Sequence, residues 1–223
     1  SDRLTDTSPG TGRTVSGRAI IGPSIHQPTE VSRTVSLLLR GGTVVDGTGS
    51  PARRADVLLA GDRISAVGSG LASAAGAEVV DIGGLVLAPG FIDLHSHSDF
   101  TFPEYPASPG QVTQGVTSEL IGHCGSSPAP VSRDPERRQA LIEYDLGVGP
   151  TLRYRWHSFA EYLDALDEAR PAVNCLPLVG HIPLRIAAMG MADRAPTAAE
   201  IATMPAGVRA ALAAGAWGMS TGL

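Results

Sequence analysis

Two histidines lie two residues apart at the end of an apolar segment that covers residues 89–99. Residues two apart in a β-strand point to the same face, so His95 and His97 are predicted to project together. Two imidazoles on one face are suited to a divalent metal such as zinc, whereas the alternative interpretation is a hydrogen-bonded surface pair. The small β unit, the Pro-Gly turn and the apolar strand before the pair favour the metal.

A cysteine ends a second strand-like segment, residues 115–125. A thiolate is a good zinc ligand, and a metal lowers its pKa, so Cys124 is the third candidate ligand. A buried structural cysteine is the alternative. His123 is predicted to point the other way if the strand runs that far, and Glu119 is predicted to form an internal ion pair.

A third strand-like segment ends in Gly-His-Ile-Pro-Leu-Arg, residues 180–185. His181 again sits at a strand's carboxyl end. Arg185 is the candidate substrate-binding residue, because its planar guanidinium can meet a carboxylate; a salt bridge at a helix start is the alternative. Cys175 is interpreted as a core residue. His26 and His157 lie in loops and are not assigned a role.

The elements that position these residues follow from the alternation of patterns after residue 90. Strand-like segments alternate with helical ones, which indicates βα units and a parallel sheet. Capping boxes at Ser158 and Thr197 each predict a helix start, and Pro205 predicts a kink or restart in the second helix. The four predicted strands cover residues 91–97, 116–124, 173–180 and 215–221.

The residues before this region have a different character. Short β-like runs separated by turn residues indicate a small all-β unit over residues 36–88. Residues 1–35 are rich in Ser, Thr, Gly, Pro and Arg and are expected to be a disordered extension. The remaining residues, 89–223, are expected to form the βα region.

Composition excludes several classes of protein. The formal charge of −5 and the absence of a basic stripe argue against nucleic-acid binding. The apolar runs are far shorter than the roughly 18–20 residues that span a membrane, so no membrane partner is expected. The two cysteines form no disulfide framework, which fits a reducing compartment and predicts a cytoplasmic protein.

The Gly-Phe-Ile-Asp-x-His-x-His segment resembles the amidohydrolase superfamily. Three further segments resemble one branch of it, the N-acyl-D-amino-acid deacylases or D-aminoacylases; they are residues 115–125, 178–185 and 215–223. The resemblance covers residues 37–223. It implies an α/β fold, the metal-dependent hydrolase (β/α)8 TIM barrel, here truncated after about four strands. It also implies a small β-sandwich to which the segment before the barrel contributes.

The resemblance further implies a zinc cofactor bound by His95, His97 and Cys124. Its chemistry is zinc-dependent hydrolysis of the amide bond of a small-molecule N-acyl-D-amino acid. The family's other two histidine ligands and its catalytic Asp come later than Leu223, so this chain alone is expected to be inactive. One departure is His123, because the family usually has Asn before the cysteine.

Two other functions remain open from the sequence. One is an amidohydrolase that acts on cyclic amides, which typically uses a carboxylated lysine on the fourth strand. All 17 basic residues of this chain are arginines, which favours the cysteine branch. The other is a non-catalytic, truncated remnant.

Overall fold

The computed structural model describes residues 36–73, 76–145 and 152–222. The predicted disordered extension, residues 1–35, and His26 within it lie outside this part of the chain. Contacts divide the described residues into two units. One comprises residues 36–92 and 111–117, and the other comprises residues 93–110 and 118–222.

The first unit contains a five-stranded sheet, as the short β-like runs predicted. Its strands are hydrogen-bonded in the order β3-β2-β1-β4. Strand β1 has a β-bulge or irregularity between Leu39 and Gly42, and β5 pairs with the part of β1 that follows it. The β1–β2 and β2–β3 pairs are antiparallel, whereas β4 and β5 run parallel to β1. The strands are β1 (Ser36–Val44), β2 (Arg53–Ala60), β3 (Arg63–Gly68), β4 (Glu78–Asp81) and β5 (Val86–Leu87). The described residues form one sheet here, so the second layer of a sandwich stays a prediction.

A second sheet runs through the βα region in the order β6-β7-β8-β9. The β7–β8 and β8–β9 pairs are parallel, which confirms the prediction of parallel strands. Each strand begins where predicted or slightly later; β8 ends at the predicted residue, and the other three strands end earlier. The strands are β6 (Phe91–Ser96), β7 (Val116–Ile121), β8 (Asn174–Gly180) and β9 (Gly218–Ser220).

Helices follow the strands of this sheet. Both predicted capping boxes are present, with Ser158 and Thr197 each accepting from the backbone N–H three residues later. A kink or a restart was predicted at Pro205. There is no restart, because one helix runs through Pro205, and the kink stays a prediction. The helices are α1 (Pro109–Val112), α2 (Pro135–Asp145), α3 (Phe159–Ala169), α4 (His181–Met189) and α5 (Ala198–Ala214).

The core of this region packs aromatic side chains from α3 and the segment before it. The Trp156 and Tyr162 rings lie 5.2 Å apart, and Phe159 meets Tyr162 edge-on at 5.7 Å. The indole Nε1 of Trp156 donates to the Pro128 carbonyl at 2.7 Å, which ties the segment after β7 to the core. Cys175 is fully buried, as predicted.

A buried acid in this core makes stability depend on pH. Tyr154 Oη donates to Asp145 Oδ2 at 2.6 Å, and burial raises the pKa of Asp145 from 3.8 to about 7. The native state therefore holds a proton that the unfolded chain releases near pH 4. The free energy of unfolding therefore falls as the pH rises from about 4 to about 7. The contribution of Asp145 to stability is smallest above pH 7.

We expect Asp145→Asn to remove this dependence, because the amide oxygen still accepts from Tyr154 but cannot ionise. At about 1.4 kcal/mol per pKa unit, the variant should gain on the order of 4 kcal/mol relative to wild type between pH 4 and 8. Urea unfolding at several pH values measures the difference. Parallel wild-type and variant curves over that range would contradict the assignment.

Candidate metal centre

Strand β6 contains the predicted ligand His95, and the predicted ligand His97 directly follows its last residue. His95 and His97 flank Ser96, and the strand's parity turns Ser96 to the opposite, buried face. His95 is exposed and His97 is half-buried. The His95 backbone N–H donates to Asp93 Oδ1 at 3.0 Å, which fixes the strand next to the first ligand.

The third predicted ligand lies in the turn that follows β7. The backbone φ angles are +84° at Gly122, +55° at Cys124 and +75° at Gly125, so the chain leaves the extended conformation after Ile121. Positive φ is unfavourable for a residue with a Cβ and costs on the order of 1 kcal/mol. Cys124 is held in this unfavourable backbone conformation, and its side chain is exposed in the turn after β7.

These three side chains converge. His95 Nε2 lies 3.2 Å from Cys124 Sγ, and one ligand atom from each of His95, His97 and Cys124 lies within 4.8 Å of the others. Ligands about 2.0–2.3 Å from a tetrahedral zinc ion are roughly 3.3–3.8 Å apart, so the spacing fits a metal site. Among the described residues, this is the group of His, Cys, Asp or Glu side chains whose ligand atoms lie close enough together to hold one metal ion.

The electrostatics of the two histidines suit a metal as well. Burial and the neighbouring His95 lower the pKa of His97, so its imidazole is neutral at neutral pH. Neutral imidazole is the form that binds metals. The Nδ1 atom of His97 is buried with no hydrogen-bond partner within the described residues. A buried polar atom of this kind needs a partner, and a bound cation supplies one.

The prediction that His123 points away from the cluster depended on the strand running that far, and the strand ends before it. The His123 ring stacks on the His95 ring, with centroids 4.3 Å apart and planes 19° apart. The reason is that β7 ends at Ile121, and Gly122 then turns the chain before His123 is reached. A Gly-x-x-Gly pair around the cysteine was the available signal for such a turn.

Ser220 of β9 forms hydrogen bonds to the same turn, and the sequence analysis did not predict them. Ser220 Oγ donates to the Gly122 carbonyl and accepts from the Gly125 N–H at 3.1 Å. The Gly125 carbonyl in turn accepts from the Ile182 N–H at 2.9 Å. These bonds join the ends of β7, β8 and β9, and they hold the backbone that presents Cys124.

Glu119 is fully buried, and among the described residues it has no ion-pair partner, so the predicted ion pair is not found there. Its Oε2 accepts from Ser96 Oγ at 2.6 Å, on the face opposite the histidines. The ion pairs within the described residues involve other carboxylates. Ser96 is the partner of Glu119 because the two residues lie on neighbouring strands and their side chains project from the same face of the sheet.

The other predicted residues lie at different places. Arg185 is in α4, and its guanidinium donates to the carbonyls of Gly190 and Ala192 at 3.3 and 2.8 Å, which satisfies the end of that helix. Its predicted contact with a substrate stays a prediction. His181 begins α4, and its Nδ1 is buried near Gly125. His157 Nδ1 faces the Val131 carbonyl at 3.3 Å.

No helix within the described residues is long and apolar enough to cross a membrane.

Known proteins were compared with the chain. The profile of the amidohydrolase family matches residues 78–223. An N-acyl-D-aspartate deacylase of Alcaligenes xylosoxydans xylosoxydans is 46% identical over 185 residues, which are 83% of this chain and 36% of that protein. A D-aminoacylase of the same organism is 44% identical over 192 residues, 86% of this chain and 38% of the relative. The chain thus spans less than two fifths of these curated relatives.

Solved structures agree with the sequence matches. The N-acyl-D-glutamate deacylase of Bordetella bronchiseptica, in complex with zinc and a phosphonate inhibitor, superposes with a TM-score of 0.72 at 40% identity. The match covers 86% of this chain and 39% of that one. A D-aminoacylase with a binuclear metal centre gives a TM-score of 0.71 at 43% identity, over 83% and 38% of the two chains. The family predicted from the sequence is confirmed: this chain belongs to the amidohydrolase family and is similar to its N-acyl-D-amino-acid deacylases.

Proposed function

We propose that the protein is a zinc-dependent hydrolase that releases a carboxylate and a D-amino acid from an N-acyl-D-amino acid. The observation that carries the proposal is the group of His95, His97 and Cys124, whose ligand atoms lie within 4.8 Å of one another. Two imidazole nitrogens and one thiolate are a donor set that suits zinc. The relatives named above, which are deacylases of this substrate class, support the reaction.

The residues of this chain would hold the metal at the end of two neighbouring strands. His95 and His97 would bind it as neutral imidazoles, and Cys124 as a thiolate. A zinc ion held there would supply a water molecule whose pKa is lowered to about 7 and would polarise the acyl carbonyl of an amide. Cys124 is held on a turn that three strands share, so its sulfur is positioned before a metal arrives.

The remaining assignments are proposals of the same kind. We propose that the four parallel strands belong to a (β/α)8 barrel over residues 89–223, and that residues 36–88 belong to a small β-sandwich. Both edge strands leave large apolar side chains exposed, Leu94 of β6 at 68% and Met219 of β9 at 46%, which closure of a barrel would cover.

Arg185 is proposed to meet the substrate carboxylate, and the location is proposed to be cytoplasmic.

The proposal is tested with purified protein and matched substrates. N-acetyl derivatives of D-Asp, D-Glu and D-Leu are compared with their L enantiomers, and D-amino acid release is measured with and without a zinc chelator. In a protein whose later strands complete the barrel, we expect release from D substrates alone, lost on chelation and restored by zinc, whereas the 223-residue chain by itself is expected to release none. Equal hydrolysis of both enantiomers would contradict the D-specific assignment.

The same assay separates the alternatives. A cyclic amide such as dihydroorotate or a hydantoin is included as a further substrate. Ring opening in the absence of deacylation would favour the cyclic-amide branch. Metal binding without turnover of any substrate would identify the 223-residue chain as non-catalytic by itself, as the sequence led us to expect.

A further inference from the structure

The imidazole of His95 lies between the candidate metal position and a second imidazole. Its Nε2 edge faces Cys124 Sγ at 3.2 Å, and its flat face lies on His123 at a centroid separation of 4.3 Å. The planes of the two rings differ by 19°. His97 meets the same ring edge-on, with centroids 5.7 Å apart and planes 65° apart. Rotation of the His95 ring would therefore break its stacking with His123.

The backbone that carries His123 is held firmly. The His123 carbonyl accepts from the Ser126 N–H at 2.8 Å, which closes the turn. Ser220 bonds to Gly122 and Gly125 on either side of the turn. A Cβ on Gly122 would approach the Leu178 carbonyl oxygen to 2.2 Å, so the chain also packs directly on β8 there. The ring that stacks on His95 is thus presented by a rigid segment.

His123 is not itself one of the clustered ligands. The group of donor atoms within 4.8 Å contains His95, His97 and Cys124 and leaves His123 out. The contact between His123 and the group is made through the face of an aromatic ring, and stacked rings attract one another in this offset arrangement. His123 Nε2 is buried with no hydrogen-bond partner within the described residues, and the contact that His123 makes with the group is the one with the His95 ring.

We propose that His123 is a positioning residue for the metal ligand His95, and that it acts by stacking rather than by donating a nitrogen. This inference rests on the proposed metal site. The stack holds the His95 ring so that Nε2 points at the position shared with Cys124. Groups that orient a metal ligand typically change metal affinity by about 10- to 100-fold when they are lost.

Two variants of similar size separate stacking from the other roles. His123→Phe keeps a flat ring and removes both nitrogens, whereas His123→Leu keeps apolar bulk and removes the flat ring. Zinc and Co²⁺ affinities are measured in the purified protein by competition with a chromophoric chelator. The visible spectrum of the Co²⁺ form reports the ligand geometry, and thermal unfolding of the metal-free form reports the fold.

We expect the Phe variant to bind metal with an affinity close to that of wild type and to keep the wild-type Co²⁺ spectrum. The Leu variant should bind about 10- to 100-fold more weakly, with an altered spectrum. Equal losses in both variants would overturn the proposal, because the nitrogens and not the ring face would then matter. Wild-type affinity in the Leu variant would also overturn it. Wild-type protein that binds no metal would refute the metal site itself, and this inference with it.

Discussion

Cys124→Ala is expected to abolish tight zinc binding. Cys124 supplies the sulfur of the three-atom group, with Sγ 3.2 Å from His95 Nε2. A complete structural zinc site is worth about 10–16 kcal/mol, so removal of one ligand should weaken binding on the order of 100- to 1,000-fold. Elemental analysis of the purified variant measures the metal retained, and in the intact enzyme the initial rate of amide hydrolysis should fall with the metal content.

Cys175→Ala is the matched control, because it removes the chain's other thiol. Cys175 is fully buried in the core, and burial, with the nearby acids Glu119 and Asp99, raises its thiol pKa well above the ordinary value. This thiol therefore stays protonated and cannot act as a thiolate ligand. The control variant should lose some stability and keep its zinc. If Cys124→Ala retains a full complement of metal and normal turnover, Cys124 is a structural residue and the site assignment fails.

Gly122→Ala is expected to be strongly destabilising. A Cβ at this position would lie 2.2 Å from the Leu178 carbonyl oxygen and 3.0 Å from its carbon, and both atoms are backbone. Gly122 also has φ +84°, which disfavours a side chain. Strain and overpacking together should cost about 3–5 kcal/mol, and the Tm should fall by roughly 10 °C or more.

Gly47→Ala separates these two causes. Gly47 has a similar φ of +75°, but no heavy atom lies within 4 Å of its Cβ position. Its variant should therefore show only the backbone penalty of about 1 kcal/mol, or roughly 2–4 °C in Tm. Thermal unfolding followed by circular dichroism measures both variants. Equal shifts would show that Leu178 moves aside and that the close approach of β7 and β8 is not required.

The sequence predicted the parts of the site that depend on local periodicity. Strand parity places His95 and His97 on one face whatever the strand packs against. The order of strand-like and helical segments likewise predicted the parallel sheet, and Ser158 and Thr197 marked helix starts through bonds spanning three residues. The structure shows the expected pair, the sheet and the caps, because each is determined by residues close together in the chain.

Contacts between distant residues were not predictable in the same way. Ser220 bonds to Gly122 and Gly125 across 98 and 95 residues, and no local pattern marks that pairing. Glu119 found a hydroxyl on the neighbouring strand instead of a cation, 23 residues away. Such partners depend on which strands become neighbours, and this information is distributed over the whole sheet.

The sequence by itself thus predicted the family, the types of the candidate ligands and the face that His95 and His97 share. Tertiary structure alone decided where β7 ends, and therefore where His123 points. The strand could have continued to Cys124 by its composition, but Gly122 packs its backbone against Leu178 and the chain turns there. One residue's difference in a strand end reverses the side on which a side chain projects, so this contact set the surroundings of His95.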